Sequence, residues 1–116
     1  MDAERLLART YAAFNARDID GALSAMHVAV DWPNGMEGGM VRGHAAIREY
    51  WTRQWRLIDP RVEATRIAPL TDSRVAVDVH QVVRDLFGTL LKDEMVQHVY
   101  AFEDGLIRSM EIRRGV

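Results

Sequence analysis

The stretch SRVAVDVHQVVRDLFGTLLKDEMVQHVYAF, residues 73–102, decides the fold. Apolar residues recur at every second position, the period of a half-buried β-strand. Val75, Val77, Val79 and Val83 mark one face of the first half, and Asp78 and His80 mark the other. The turn LFG (86–88) puts Gly88 where a three-residue hairpin needs a left-handed residue. Asp85 then faces Thr89, so the residue numbers of each facing pair sum to 174. On that alignment His80 lies opposite Glu94, Asp78 opposite Val96 and Ala76 opposite His98. Facing side chains share a side of the sheet, so Asp78, His80, Glu94 and His98 are expected together, continued by Tyr100 and Phe102. The valines would form the other side, joined by Met95, Val99 and Ala101. A slip of one residue would undo this grouping.

Outward from the hairpin, VEATRIAP (62–69) and GLIRSMEIRR (105–114) also alternate as strands. The N-terminal half has the helical period instead. Leu6, Leu7, Thr10, Tyr11 and Phe14 form one face of a helix over 3–16, with Asp2 as N-cap. Asp18 caps a shorter helix in IDGALSAMH. VAVDW (28–32) reads as a strand ended by Pro33. NGMEGGMVRG (34–43), with four glycines, is a turn-rich segment that could act as a lid. A third helix in GHAAIREYWTRQWRLI presents Ile47, Tyr50, Trp51, Gln54, Trp55 and Ile58 and stops before Pro60. Three helices followed by meandering strands predict an α+β domain over 1–116, helices packed on one face of a curved antiparallel sheet.

The totals exclude several classes of function. The 116 residues are 48% apolar and 28% charged, with 15 basic against 17 acidic residues. Such a chain buries roughly 65% of its unfolded surface and shows no electrostatic footprint for nucleic acid. Arg108, Arg113 and Arg114 are the only basic cluster and read as a solvated strand edge. No apolar run approaches the ~20 residues that span a bilayer; no membrane role and a cytoplasmic location are expected. There is no cysteine, hence no disulfide, thiolate metal site or cysteine nucleophile. The four histidines lack compact metal-ligand spacing, so neither a metal nor a cofactor is expected.

Three segments, YAAFNARDIDGALSAMHVAVDWPNG, GHAAIREYWTRQW and HVYAFEDGLIRSMEIR, carry a family likeness in order along nearly the whole chain. The chain resembles the SnoaL-like branch of the nuclear transport factor 2-like superfamily, related to ketosteroid isomerase and scytalone dehydratase. The resemblance implies a single domain with the cone-shaped, cystatin-like α+β fold and a pocket between helices and sheet. It does not carry over the isomerase machinery. The shuttling carboxylate matches Trp32, before Pro33. The oxyanion-binding tyrosine matches Thr10, with Tyr11 one step away. The oxyanion-binding aspartate matches His98, and the nonpolar residue behind it matches Met110.

His98 and Asp78 are therefore the candidate catalytic pair: an imidazole that titrates near neutrality and a carboxylate that could orient it or act as base. Tyr11, Phe14, Trp32, Tyr50, Trp55, His80, Tyr100 and Met110 are the candidate ligand-binding residues. Each has a plain structural alternative. Asp78 could pair with an arginine, His80 and Glu94 could form a solvated cross-strand pair, and aromatics at helical spacing could be core. The leading expectation is a small apolar ligand subjected to cofactor-free isomerisation, cyclisation or dehydration. A binding or scaffold module without chemistry and a dimerisation domain with a filled core are the rivals. The valine face is expected to form a homodimer contact, the reverse assignment of the two faces being the alternative.

Overall fold

In the computed structural model, which describes residues 2–114, the first two helices start where a side chain satisfies an orphan N–H. Helix α1 (Ala3–Asn15) begins at Asp2, whose carboxylate accepts the Arg5 N–H at 3.0 Å. Helix α2 (Ile19–Leu23) begins at Asp18, which accepts the Gly21 N–H at 2.9 Å. Strand β1 (Met26–Pro33) follows, and β2 (Met40–Arg42) lies inside the segment expected to be all turn. Helix α3 (His44–Gln54) ends four residues before Ile58, shorter than its apolar period implies. Ile58 instead opens β3 (Ile58–Pro69), succeeded by β4 (Val75–Asp85), β5 (Leu90–Glu103) and β6 (Leu106–Arg113). Pro60 thus sits within β3. It is tolerated because β3 is an edge strand of the sheet, where a missing N–H breaks no central ladder.

The six strands run in the order β2-β1-β6-β5-β4-β3. All neighbours are antiparallel except β1 and β6, which pair in parallel. Pairing shifts between Ala64 and Arg66, between Val83 and Arg84, and between Ala101 and Phe102. Such bulges bend a strand and increase its twist, and here they curve the sheet around the helices into the cone-shaped α+β architecture.

The bulge in the β4–β5 hairpin corrects the register. The turn is as expected: the Asp85 N–H donates to the Thr89 carbonyl at 2.9 Å, and Gly88 has φ 92°. Arg84 faces Leu90, a sum of 174, but Val83 faces Lys92, a sum of 175. Leu91 is the extra residue, and beyond it every pair is displaced by one. Val77 faces His98, Val79 faces Val96, Gln81 faces Glu94, and Val75 faces Tyr100. Asp78 and His80 go to the opposite side, facing Gln97 and Met95.

The valine face is accordingly the inner one. Val77 and Val79 are fully buried in the cluster that contains Leu7, Tyr11, Ile47, Trp51 and Tyr100. The helices of the same chain cover these valines, so they are not available as the expected homodimer contact. Their burial inside one chain is the ordinary hydrophobic outcome for a sheet with one helical layer.

Candidate functional site

A cavity of about 330 Å³ lies between the helices and the inner face of the sheet. Its wall is mainly aromatic and aliphatic. Tyr11 and Phe14 come from α1, Trp32 from β1, Tyr50 and Trp51 from α3, and Tyr100 and Met110 from β5 and β6. The tryptophans are held edge to face, with Trp32 and Trp51 centroids 5.7 Å apart at 87°. Such packing fixes ring orientation and keeps a flat slot between the layers.

One end of the slot is polar. The Tyr100 hydroxyl donates to the Tyr11 hydroxyl at 2.7 Å, and the Tyr11 hydroxyl lies 2.7 Å from Nδ1 of His98. All three residues are buried, His98 being 5% exposed. Each comes from a position whose inward face the fold dictates. Tyr11 lies on the apolar stripe of α1, and His98 and Tyr100 alternate inward along β5. With Tyr100 donating to Tyr11 and Tyr11 to Nδ1, the imidazole carries its proton on Nε2. Nε2 has no protein partner among the hydrogen bonds of the described residues, and the ring borders the cavity.

Burial, reinforced by the positive charge of Arg114, lowers the His98 pKa to about 4. The ring is therefore neutral at physiological pH, because desolvation penalises the imidazolium. Burial likewise pushes the Tyr11 and Tyr100 phenols well above their ordinary value. The constellation is a neutral hydrogen-bond chain suited to donating to a carbonyl, hydroxyl or developing oxyanion. With its pKa so low, His98 is a poor general base at neutral pH.

The expected site residues divide cleanly. His98, Tyr11, Phe14, Trp32, Tyr50, Tyr100 and Met110 border the cavity. Asp78 does not meet His98: it lies on the outer side of the sheet, within 3.4 Å of the Gln97 amide. His80 is also outside, its Nε2 2.7 Å from Asp93. Both are displaced by the extra residue at Leu91. Trp55 stands behind the wall, against Phe14 and Trp51 at 5.3 and 5.7 Å, with the Arg17 guanidinium 4.9 Å from its ring centroid. Thr10, matched to the isomerase tyrosine by resemblance, bonds back to the Leu6 carbonyl, and its neighbour Tyr11 supplies the phenol. Gln54, on the expected face of the third helix but given no site role there, lines the cavity, and its amide reaches the Tyr50 hydroxyl at 3.1 Å. Gln81, Lys92 and Arg114 are further polar wall residues that the sequence does not single out for the site.

The glycine-rich segment reaches the cavity through Gly35 and Met36. Its first turn is fastened rather than free. The Asn34 side chain accepts the Glu37 N–H at 2.7 Å, and Glu37 pairs with Arg53 of α3 at 2.7 Å.

One group of potential metal ligands, His27, Glu103 and Asp104, gathers where β1 meets the β5–β6 turn. The donor set does not fit a metal. Nδ1 of His27 accepts the Ala29 N–H at 3.0 Å, which leaves the ring proton on Nε2, 3.2 Å from Glu103. A ligating imidazole needs Nε2 bare and its other nitrogen donating. These groups tie the turn to β1, and Arg108 adds a further contact to Glu103 at 3.4 Å.

Fold and cavity define an α+β cone with an aromatic slot closed at one end by neutral hydrogen-bonding groups. The chain belongs to the family of SnoaL-like domains, whose model matches residues 7–110. TerC, crystallised with polyporic acid, is similar at 32% identity over 93% of this chain and 87% of its own, with a TM-score of 0.81. A putative polyketide cyclase from Xanthomonas campestris shares 20% identity over 97% of this chain and 90% of its own, with a TM-score of 0.80. RV0760c from Mycobacterium tuberculosis, solved with estradiol-17beta-hemisuccinate, shares 16% identity over 98% and 94%, with a TM-score of 0.82. The latter two show the fold alone. No curated protein sequence matches the chain. Among the described residues, no helix is long and apolar enough to cross a membrane.

Proposed function

We propose that the protein binds a small, flat, apolar molecule bearing a carbonyl or hydroxyl oxygen, and that this oxygen docks against the Nε2–H of His98, which Tyr11 orients. The observation that carries this reading is the Tyr100–Tyr11–His98 chain at the end of an aromatic slot. Nε2–H of a neutral imidazole is the free donor, and the two tyrosines hold its tautomer. A ligand oxygen gaining negative charge during enolisation, cyclisation or loss of water would be stabilised there without solvent reorganisation. His98 is thus assigned the electrophilic role, in a cofactor-free isomerase, cyclase or lyase. Support also comes from TerC, which was crystallised with polyporic acid and is 32% identical to this chain.

The rival reading is binding without turnover, and a specific observation favours it. No carboxylate borders the cavity among the described residues. Trp32 occupies the position matched to the isomerase base, and Asp78 faces away. The two readings separate in one experiment. Polyporic acid and a set of flat aromatic ketones are titrated by tryptophan fluorescence, then incubated with the protein and followed by mass spectrometry. Binding that is lost in His98→Ala and Tyr11→Phe, with product formed by the wild type alone, supports the enzyme. Binding without product supports the carrier. Equal binding by the wild type and both variants overturns the assignment of His98 and Tyr11.

A further inference from the structure

The cavity wall carries a charge that the docking of a neutral oxygen does not use. Lys92 and Arg114 are the only charged side chains in the cavity wall among the described residues, and both are cations. They face inward by register. Lys92 is opposite Val83, and Arg114 continues the inward alternation of Met110 and Ile112 on β6. A single carboxylate oxygen serves both: Oε1 of Glu94 lies 3.4 Å from Nε of Arg114 and 3.8 Å from Nζ of Lys92. One acid shared by two bases at such distances leaves a surplus positive charge, and the side chains of Arg114 and Lys92 are 46% and 47% exposed. Among the described residues, no carboxylate borders the cavity to offset it.

Resting on the proposed function, we infer that the ligand is an acid. Its apolar rings fill the aromatic slot, its carbonyl or hydroxyl meets His98, and a separate anionic oxygen, carboxylate or ionised enol, meets Arg114 and Lys92. The two cationic heads converge on Glu94, four residues from His98 along β5, about 13 Å at the rise of a strand. Arg114 itself follows Arg113, whose partner is Gln97, and its charge is felt at His98. Arg114 is the stronger determinant, since a guanidinium can grip a carboxylate with two parallel hydrogen bonds.

The test uses anthracene-2-carboxylate and anthracene-2-carboxamide, which share shape and differ in charge. In low salt the carboxylate is expected to bind about fivefold tighter, the upper end for a half-exposed ion pair, with the gap closing in high salt. The double variant Lys92→Met/Arg114→Met should abolish the gap and leave carboxamide binding unchanged. Glu94→Gln, which frees both cations, should widen it. Both sites of substitution are partly exposed, so the fold is expected to survive. Equal binding of the two probes to the wild type, or a gap untouched by the double variant, overturns the acidic ligand while leaving the aromatic pocket in place. If neither probe binds, the pocket reading falls and this inference with it.

Discussion

Two histidines on one hairpin, His80 on β4 and His98 on β5, show what the two faces of the sheet do to the same side chain. His98 is 5% exposed, bonded to a phenol and driven to neutrality by burial. The side chain of His80 is 40% exposed and bonded to the carboxylate of Asp93, itself open to solvent. The inner face therefore sets the proton state of its imidazole, whereas solvent screens the interaction on the outer face. Chemical capacity in this fold belongs to the covered side. The outer side holds Asp78 and His80, which neither border the cavity nor touch its hydrogen-bond chain.

The largest expected effect of exchanging the faces is at Val77. Val77→Asp places a carboxylate without a partner where exposure is zero, and should cost about 4 kcal/mol or more. Urea denaturation, or failure to accumulate soluble protein, measures it. A soluble, stable variant would show that Val77 does not face the helices.

Next is the pH dependence of stability. The folded His98 pKa of about 4 lies below the unfolded value of 6.5. The unfolded chain thus takes up the proton first. The stability associated with neutral His98 is complete above pH 6.5, falls as pH drops from 6.5 to 4, and changes no further below 4. Across that window the loss is on the order of 3 kcal/mol. It is read as the difference between wild type and His98→Gln in unfolding free energy at pH 7.5 and pH 4.5. A difference that is the same at both pH values would show that burial does not hold His98 neutral.

Tyr11→Phe comes third. It strands Nδ1 of His98 and the Tyr100 hydroxyl in a buried site, at a cost of about 2 kcal/mol. Thermal unfolding together with the NMR shift of the His98 ring nitrogens checks it, and an unchanged spectrum would remove the bond. The smallest effect belongs outside. Asp78→Ala loses one long contact to Gln97 and should change stability by no more than about 0.5 kcal/mol. Ligand binding should be unaltered, so a loss of binding would return Asp78 to the site.

Much of this architecture was legible before folding because it depends on local periodicity. Tyr11, Phe14 and Leu7 recur on a helical stripe, Val75 to Val79 alternate, and Gly88 marks its turn. The candidate site was half legible. His98, Tyr11 and Tyr100 could be singled out, and the family likeness pointed to the same region. Asp78 was wrongly paired with His98 because the turn was read correctly and the strand beyond it was assumed regular.

By itself the sequence determined most of the helices and strands, though not β2 or the start of β3 at Ile58, and it determined where the hairpin turns and which residues are apolar enough to need cover. Tertiary structure alone decided which face of the hairpin is covered. One residue, Leu91, looped out of the ladder, and side-chain direction alternates with a period of two. A single unpaired residue therefore exchanges inside for outside along the rest of the strand. No local pattern records it, since either alignment keeps the same alternation, and the choice falls to burying Val77, Val79 and Tyr100 beneath the helices.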